Sequence, residues 1–341
     1  VYNEAGQLLA QTNANAEVLQ FTYNPANQML TLKDGKNQQT SWNYDEYGRV
    51  TNKVDAASTV IFKYKYDQAN RLTNRWTVAK GDTFYRYDPV GNLTNVDYPG
   101  TALDLVLSYD GLSRLTNVVD AIGSTKFSYT DGGQLLREDG PWASDTVTYG
   151  YTERRRTGMT IAQPNASDWW HTYGRDQYDR LTNVTSAAGT FGYTYHSLSP
   201  ICDRVALMGL PGNYIENSRV EYEIDALGRL TNSELYSPMG PVINRHGYDL
   251  NAANQRTRQA FVNGNYVDYT YDDIGQLKTA KGWESGGTVV RANEQFGYAY
   301  DAAWNLNRRT NNALVQTFNV DNLNQLSSGS RSGSFTVAGV A

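Results

Sequence analysis

The 341-residue chain is poor in the side chains on which many enzymes and disulfide-bonded proteins depend. It has one cysteine and three histidines. The single Cys202 excludes a disulfide framework within the chain, and we expect it to be a partly buried small hydrophobe. His171, His196 and His246 are scattered, and no zinc, redox, nucleophile-elbow or phosphate-loop motif is present. We therefore expect no enzyme activity, no cofactor and no metal site.

Charge and hydropathy exclude two further classes of partner. The net charge is -5, and like charges do not cluster in long runs. A nucleic-acid partner is therefore not expected. No apolar run approaches the ~20 residues that a membrane-spanning helix needs, so we expect no membrane insertion.

Aromatic and turn-forming residues are abundant instead. The chain contains 26 tyrosines, 7 tryptophans and 30 glycines. Tyrosine and threonine suit the pleated surface of a sheet, whereas glycine and asparagine suit its turns. The composition therefore favours an all-β protein.

One short pattern recurs along the chain. It reads Tyr-Asp, two residues, Gly or Asn, Arg or Gln, Leu, Thr, Asn, and residues 44–52, 66–74, 109–117 and 225–232 are copies of it or of most of it. The apolar anchors of successive copies are about 21 residues apart. Two strands of about six residues and two turns use up that length, which predicts one β-hairpin per repeat.

Each position of the pattern has a structural interpretation. The Asp bonds forward to the backbone of a turn, the Gly adopts the left-handed conformation that closes it, and the Tyr and Leu pack on one face of the sheet. The structural repeat positions predicted in this way are Tyr44, Asp45, Gly48, Tyr66, Asp67, Leu72, Tyr87, Asp88, Gly91, Tyr109, Asp110, Leu115, Asp225, Gly228, Leu230, Tyr271, Asp272 and Gly275.

Alternation along the strands assigns the remaining positions to faces. It places Asn74 with Leu72 on the inward aromatic face, and it places Arg71 on the outer face, where the arginine would serve solubility. The same inward position is predicted for Asn52, Asn95, Asn117, Asn183 and Asn232.

A lone hairpin of this kind cannot fold. Burying two tyrosines and a leucine contributes about 6–8 kcal/mol at ~1.5–3 kcal/mol each, whereas ordering the repeat's backbone costs ~20–40 kcal/mol. The copies must therefore stack, and about fifteen of them give about thirty strands. Open sheets rarely exceed about ten strands without curling, so we predict a long curled sheet that winds into a spiral shell.

The array is expected to span residues 1–326. Irregular insertions are expected near 137–172 and 199–219. The first is interpreted as a lid, a docking surface or a longer hairpin, and the second as the loose turn of an elongated copy. Residues 327–341 are rich in serine and glycine and are predicted to be a flexible linker, with another strand beginning near Phe335.

The regular Tyr-Asp-x-x-Gly-Arg-Leu pattern resembles the YD-repeat, or rearrangement hotspot (Rhs), family over nearly the whole chain. The resemblance implies a β-cocoon, a hollow shell that encloses a toxin in bacterial polymorphic toxins and recurs in insecticidal toxin complexes and teneurins. No plug segment with the family's Asp-Pro-x-Gly-Leu cleavage motif is recognised, because Asp88-Pro89-Val90-Gly91 is a repeat turn followed by Asn92. We expect the chain to be a piece of a longer protein.

Two functions follow as hypotheses. The first is a non-catalytic shell segment whose partners are other segments of the shell and an enclosed or presented polypeptide. The second is a cell-surface binding module in which Trp142, Trp169 and Trp170 form a patch for glycans or proteins. A hydrolase with paired carboxylates is a distant third, because most Asp residues belong to turns. The resemblance implies a secreted or bacterial cell-surface location.

Overall fold

The computed structural model describes residues 1–100, 104–197, 200–209, 216–238 and 240–334. In these ranges the regular elements are strands, and 29 of them belong to one sheet. The first fifteen strands are β1 (Ala10–Thr12), β2 (Val18–Tyr23), β3 (Met29–Lys33), β4 (Gln39–Tyr44), β5 (Val50–Val54), β6 (Val60–Tyr66), β7 (Leu72–Thr77), β8 (Gly81–Tyr87), β9 (Leu93–Asp97), β10 (Leu105–Tyr109), β11 (Leu115–Val119), β12 (Ser124–Tyr129), β13 (Leu135–Asp139), β14 (Val147–Thr152) and β15 (Arg155–Ile161).

The remaining strands are β16 (Trp169–Arg175), β17 (Leu181–Ser186), β18 (Gly189–Tyr195), β19 (Cys202–Met208), β20 (Glu216–Ile224), β21 (Leu230–Tyr236), β22 (Val242–Leu250), β23 (Arg256–Phe261), β24 (Tyr266–Tyr271), β25 (Leu277–Trp283), β26 (Val290–Tyr300), β27 (Leu306–Asn311), β28 (Leu314–Val320) and β29 (Leu326–Ser332).

The strands pair with their neighbours in the chain. The chain divides into two compact units, one formed by residues 1–81 and 247–341 and the other by residues 82–246. In the first unit, β1 to β7 pair in order, as do β23 to β29, and every pairing is antiparallel. In the second unit, β8 to β21 pair in the same way. The prediction of an all-β array of tandem hairpins is confirmed.

A β-bulge at each Tyr-Asp turn overturns the predicted faces. In the β6–β7 hairpin, Tyr66 lies opposite Leu72, but Lys65 lies opposite Asn74. Residues directly opposite each other share a face, so the extra residue at the bulge puts Asn74 on the lysine face and not with Leu72. The Nζ atom of Lys63 accordingly lies 4.6 Å from the ring centroid of Trp76.

The prediction that the repeated asparagine shares a face with the apolar anchor is therefore wrong, although Asn74 and Asn232 are themselves buried. The same register shift separates the asparagine from the apolar anchor in the other copies, at Asn52, Asn95, Asn117, Asn183 and Asn232. These amides belong to the face that carries lysine, arginine and serine partners, such as Lys63 opposite Asn52 and Lys126 opposite Asn117.

The sheet has very little conventional core. Among the described residues, no large side chain is fully buried, and the buried hydrophobic side chains are Val96, Ala206 and Ala280. The rows of tyrosine are half-buried, as in β6, where Phe62, Tyr64 and Tyr66 are intermediate and the lysines between them are exposed. Contacts between adjacent hairpins must therefore hold the array together.

The irregular regions consist largely of strands. In residues 137–172, β14, β15 and β16 form consecutive antiparallel pairs, which agrees with a longer hairpin rather than a lid. In residues 199–219, β19 and β20 form an elongated hairpin, and its predicted turn at 210–213 lies outside the described residues.

The linker prediction is wrong for residues 327–332. They belong to β29, which pairs with β28 over its whole length. Strand pairing is made by hydrogen bonds between backbone groups and does not depend on apolar side chains. The unpaired edge of β28 can therefore pair with a serine-rich segment as well as with an apolar one. The strand predicted near Phe335 lies outside the described residues.

Candidate functional site

The Tyr-Asp turn is the element that recurs most regularly, and its geometry is the same from copy to copy. In the Asp45 turn, Oδ1 accepts hydrogen bonds from the backbone N–H groups of Tyr47 and Arg49 at 3.0 and 2.9 Å. The backbone N–H of Gly48 donates to the Asp45 carbonyl, and Gly48 has a φ of 80°. In this turn, Asp45 therefore binds the backbone and Gly48 holds the left-handed conformation.

The arginine that follows the turn does not serve solubility, as the sequence suggested. It forms an ion pair with the aspartate that begins the turn, and we call this ion pair the arginine clasp. The Nε atom of Arg49 lies 2.7 Å from Oδ2 of Asp45. Four other turns carry the same ion pair, at Asp67–Arg71, Asp110–Arg114, Asp176–Arg180 and Asp225–Arg229. One carboxylate thus binds both the backbone of its own turn and the arginine that closes it.

The clasp changes the acidity of the turn aspartates. The backbone N–H of Arg114 lowers the pKa of Asp110 below its usual value, burial partly opposes this, and the Arg114 side chain lowers it further. The pKa of Asp67 is lowered by the corresponding groups of Arg71. These carboxylates are held ionised for a structural purpose and are not poised to exchange protons near neutral pH.

The motif tyrosine connects each hairpin to the hairpin before it. The hydroxyl of Tyr66 donates to the carbonyl of Val50 at 2.9 Å, and the guanidinium of Arg49 lies 4.8 Å from the Tyr66 ring centroid. The same bond to the first strand residue of the preceding copy is made by Tyr44, Tyr109, Tyr129, Tyr151, Tyr195 and Tyr271. Tyr23 bonds in the same way to the carbonyl of Leu8, which lies just before β1. Tyrosine supplies a ring for packing and a hydroxyl for this bond, which phenylalanine lacks.

Two glutamates line an open polar crevice in the second unit. Glu221 of β20 lies directly opposite Glu234 of β21, so the two carboxylates could be considered as a catalytic pair. Both are already bound: Arg219 Nε lies 2.6 Å from Glu221, and the Tyr236 hydroxyl donates to Glu234 at 2.5 Å. This bond lowers the pKa of Glu234 and raises that of Tyr236 to about 12, so Glu234 is not suited to act as a general acid.

The three tryptophans of the predicted binding patch lie in different environments. Trp142 is 65% exposed in the connection between β13 and β14. Trp169 and Trp170 are half-buried neighbours on β16, so their side chains point to opposite faces of the strand. The indole N–H of Trp169 donates to Nε2 of His171 at 2.6 Å.

The other polar candidates are structural. The Sγ atom of Cys202 donates to the carbonyl of Arg204 at 3.3 Å, and burial raises the pKa of the thiol. No cluster of three His, Cys, Asp or Glu side chains suitable for a metal occurs in the described part of the chain. Within the same residues, no helix is long and apolar enough to cross a membrane.

The family follows from comparison with known proteins. A family model described as teneurin YD-shell matches residues 1–209. The chain belongs to this family. A search of curated proteins returned no match.

Solved structures show the same fold over almost the whole YD-shell chain. The Tc holotoxin pore of Photorhabdus luminescens, a TccC3 mutant, matches with a TM-score of 0.71 and 17% identity, over 96% of this chain and 19% of that one. The TcdB2-TccC3 crystal structure matches with a TM-score of 0.64 and 15% identity, over 96% and 21%. The chain therefore spans about a fifth of the length of these proteins, and its fold is that of a YD-repeat shell segment.

Sequence reasoning missed the arginine clasp and the tyrosine bond of the YD-shell repeat. The signal for the clasp was the constant four-residue step from Asp to Arg, as between Asp45 and Arg49. The signal for the bond was the choice of tyrosine over phenylalanine at a position where packing alone would accept either.

Proposed function

We propose that this YD-shell chain is a non-catalytic segment of a hollow β-shell that encloses or presents another polypeptide, in its parent protein a toxin-type cargo. We also propose that the parent protein is secreted or displayed on a bacterial cell surface. The family match and the fold support a structural role. The resemblance to Rhs proteins supports the cargo and the location.

The observation that carries the proposal is the half-buried aromatic face. Isolated apolar residues are normal on a protein surface, but here aromatic side chains recur along one face of strand after strand, as Phe62, Tyr64 and Tyr66 do on β6. Tyrosine offers a large contact area and loses little conformational entropy on binding. Such a face is suited to an extended or unfolded polypeptide of variable sequence.

Site-specific photo-crosslinking tests this proposal. A benzophenone amino acid placed at Tyr64 reports contacts on the aromatic face, and the matched variant at Lys65 reports the opposite face of the same strand. The probe polypeptide is reduced, carboxymethylated α-lactalbumin, which stays unfolded. We expect crosslinks from position 64 and few from position 65. Equal yields at the two positions, or none at either, would refute the proposal.

The alternative, a surface module that binds glycans, remains a separate proposal. Its support is the exposure of Trp142, whereas Trp169 and Trp170 do not present one common face. Binding of oligosaccharides on a glycan array, lost in Trp142→Ala, would favour it over the shell.

A further inference from the structure

Two groups of turns meet inside the first unit. The early turns close hairpins at the start of the chain, and the late turns are turns near its end that begin with an aspartate. The early turns are residues 13–17 and 34–38, and the late turns are residues 272–276, 301–305 and 321–325. Residues from both groups belong to one compact unit.

The early and late turns alternate along their contact. Asn15 in the first early turn donates to Oδ2 of Asp272 at 3.0 Å. In the second early turn, Asp34 accepts a bond from Asn324 at 3.3 Å. The middle late turn, residues 301–305, touches both early turns. Of the three late turns, it is the one with polar contacts to both early turns in the described part of the chain.

Trp304 makes the first of these middle contacts. Its indole N–H donates to Oε2 of Glu17 at 2.6 Å. Trp304 has a φ of 66°, at the turn position occupied by Gly275 and Asn324 in the other late turns. A bulky residue in the left-handed region is a conformational outlier, and such strain is found where a contact compensates for it.

Asp301 makes the second middle contact. Its Oδ2 lies 3.2 Å from Nζ of Lys36, and the two side chains are only 16% and 25% exposed. The residue four positions after Asp301 is Asn305, which carries no charge, whereas the clasped turns have arginine there. The missing arginine leaves the charge of Asp301 to be balanced by Lys36.

Gly35 allows the close approach that this contact needs. A Cβ atom at this position would lie 2.1 Å from the carbonyl oxygen of Ala302, a distance that no side chain can accept. Gly35 and Lys36 of the early turn thus fit against Ala302 and Asp301 of the late turn. Trp304 of the same late turn binds Glu17 of the other early turn.

We propose that the turn at residues 301–305 sets the register in which the late hairpins dock on the early ones. Repeated hairpins are similar enough for the contact to slip by one copy, which would put Lys36 opposite Asp272 or Asp321. Trp304 distinguishes the correct turn from its two neighbours, because they carry Gly275 and Asn324 at the same position and offer no indole to Glu17. The inference goes beyond the proposed shell function and does not depend on any cargo.

Carbodiimide crosslinking of the full chain tests the register. The reagent activates a carboxyl group and joins it to an amine as an amide, so Lys36 should crosslink to Asp301. Mass spectrometry of the peptides identifies the pair. In Trp304→Asn, asparagine is tolerated in the left-handed conformation, so the turn should form while the indole contact is lost. We expect the Lys36–Asp301 product to fall several-fold and crosslinks to Asp272 or Asp321 to appear.

Two further variants keep the test decisive. Asn305→Arg should restore a clasp on Asp301 and reduce the same crosslink without removing Trp304. Ser113→Gly relieves a left-handed residue, with a φ of 58°, in a turn outside this contact and should leave the crosslink unchanged. The proposal fails if Lys36–Asp301 remains the main product in both Trp304→Asn and Asn305→Arg.

Discussion

Removing a single hydroxyl, with Tyr66→Phe, isolates the bond that ties one hairpin to the preceding one. The hydroxyl donates to the Val50 carbonyl at 2.9 Å, whereas the contact of the ring with the Arg49 guanidinium does not involve the hydroxyl and should be kept in the variant. A hydrogen bond of this kind contributes about 0.5–1.5 kcal/mol net. A loss of about 1 kcal/mol increases the local opening equilibrium roughly fivefold.

Hydrogen exchange measured by mass spectrometry is the suitable assay. Stability in a repeat array is local, so a global unfolding midpoint would dilute the effect. Peptides that cover residues 50–66 should exchange faster, and peptides from residues 124–139 should not change. The matched control is Tyr47→Phe, because Tyr47 is 72% exposed. If both variants behave alike, or if exchange rises evenly along the chain, the tyrosine bond does not join neighbouring hairpins.

Two further outcomes follow from the turns. The groups of Arg114 lower the pKa of Asp110 below 3.8 in the folded protein. As the pH falls from about 5 to about 2, the unfolded chain therefore binds more protons than the folded chain, and stability should decrease. Over that range, thermal midpoints should fall less in Asp110→Asn than in the unmodified chain. Gly48→Ala should destabilise its hairpin by about 1–2 kcal/mol, because the residue has a φ of 80° and its Cβ would lie 2.4 Å from Gln28 Nε2. Gly111→Ala has open space and no positive φ, so a thermal midpoint equal to that of Gly48→Ala would contradict this reasoning.

The repeat made the architecture predictable. The step of about 21 residues and the turn chemistry at Asp45 and Gly48 were enough to predict tandem hairpins and about thirty strands. A strict alternation of faces mispredicts the strand after each turn. The bulge adds one residue to that strand, so the residues that follow the bulge lie on the opposite face of the sheet from the one predicted. Asn74 is therefore on the opposite face from the one that a period of two predicts.

Contacts distant in the chain were beyond the reach of the sequence. Trp304 and Glu17 are separated by 287 positions. A sequence of similar copies gives no indication of which late turn meets which early turn. The departures from the repeat, such as Trp304 in place of glycine, become informative only when the structure shows what they touch. The serine-rich end was misjudged for a related reason, since pairing with β28 depends on backbone groups and not on side-chain composition.

The direction of the tyrosine bond has a consequence for how the chain is made. In each case the hydroxyl reaches back to a carbonyl that precedes it in the sequence, as Tyr66 does to Val50 and Tyr129 does to Leu115. A hairpin leaving the ribosome therefore finds its binding site on a hairpin that already exists. Assembly can proceed copy by copy in the order of translation, and only the contacts between the early and late turns have to wait for the end of the chain.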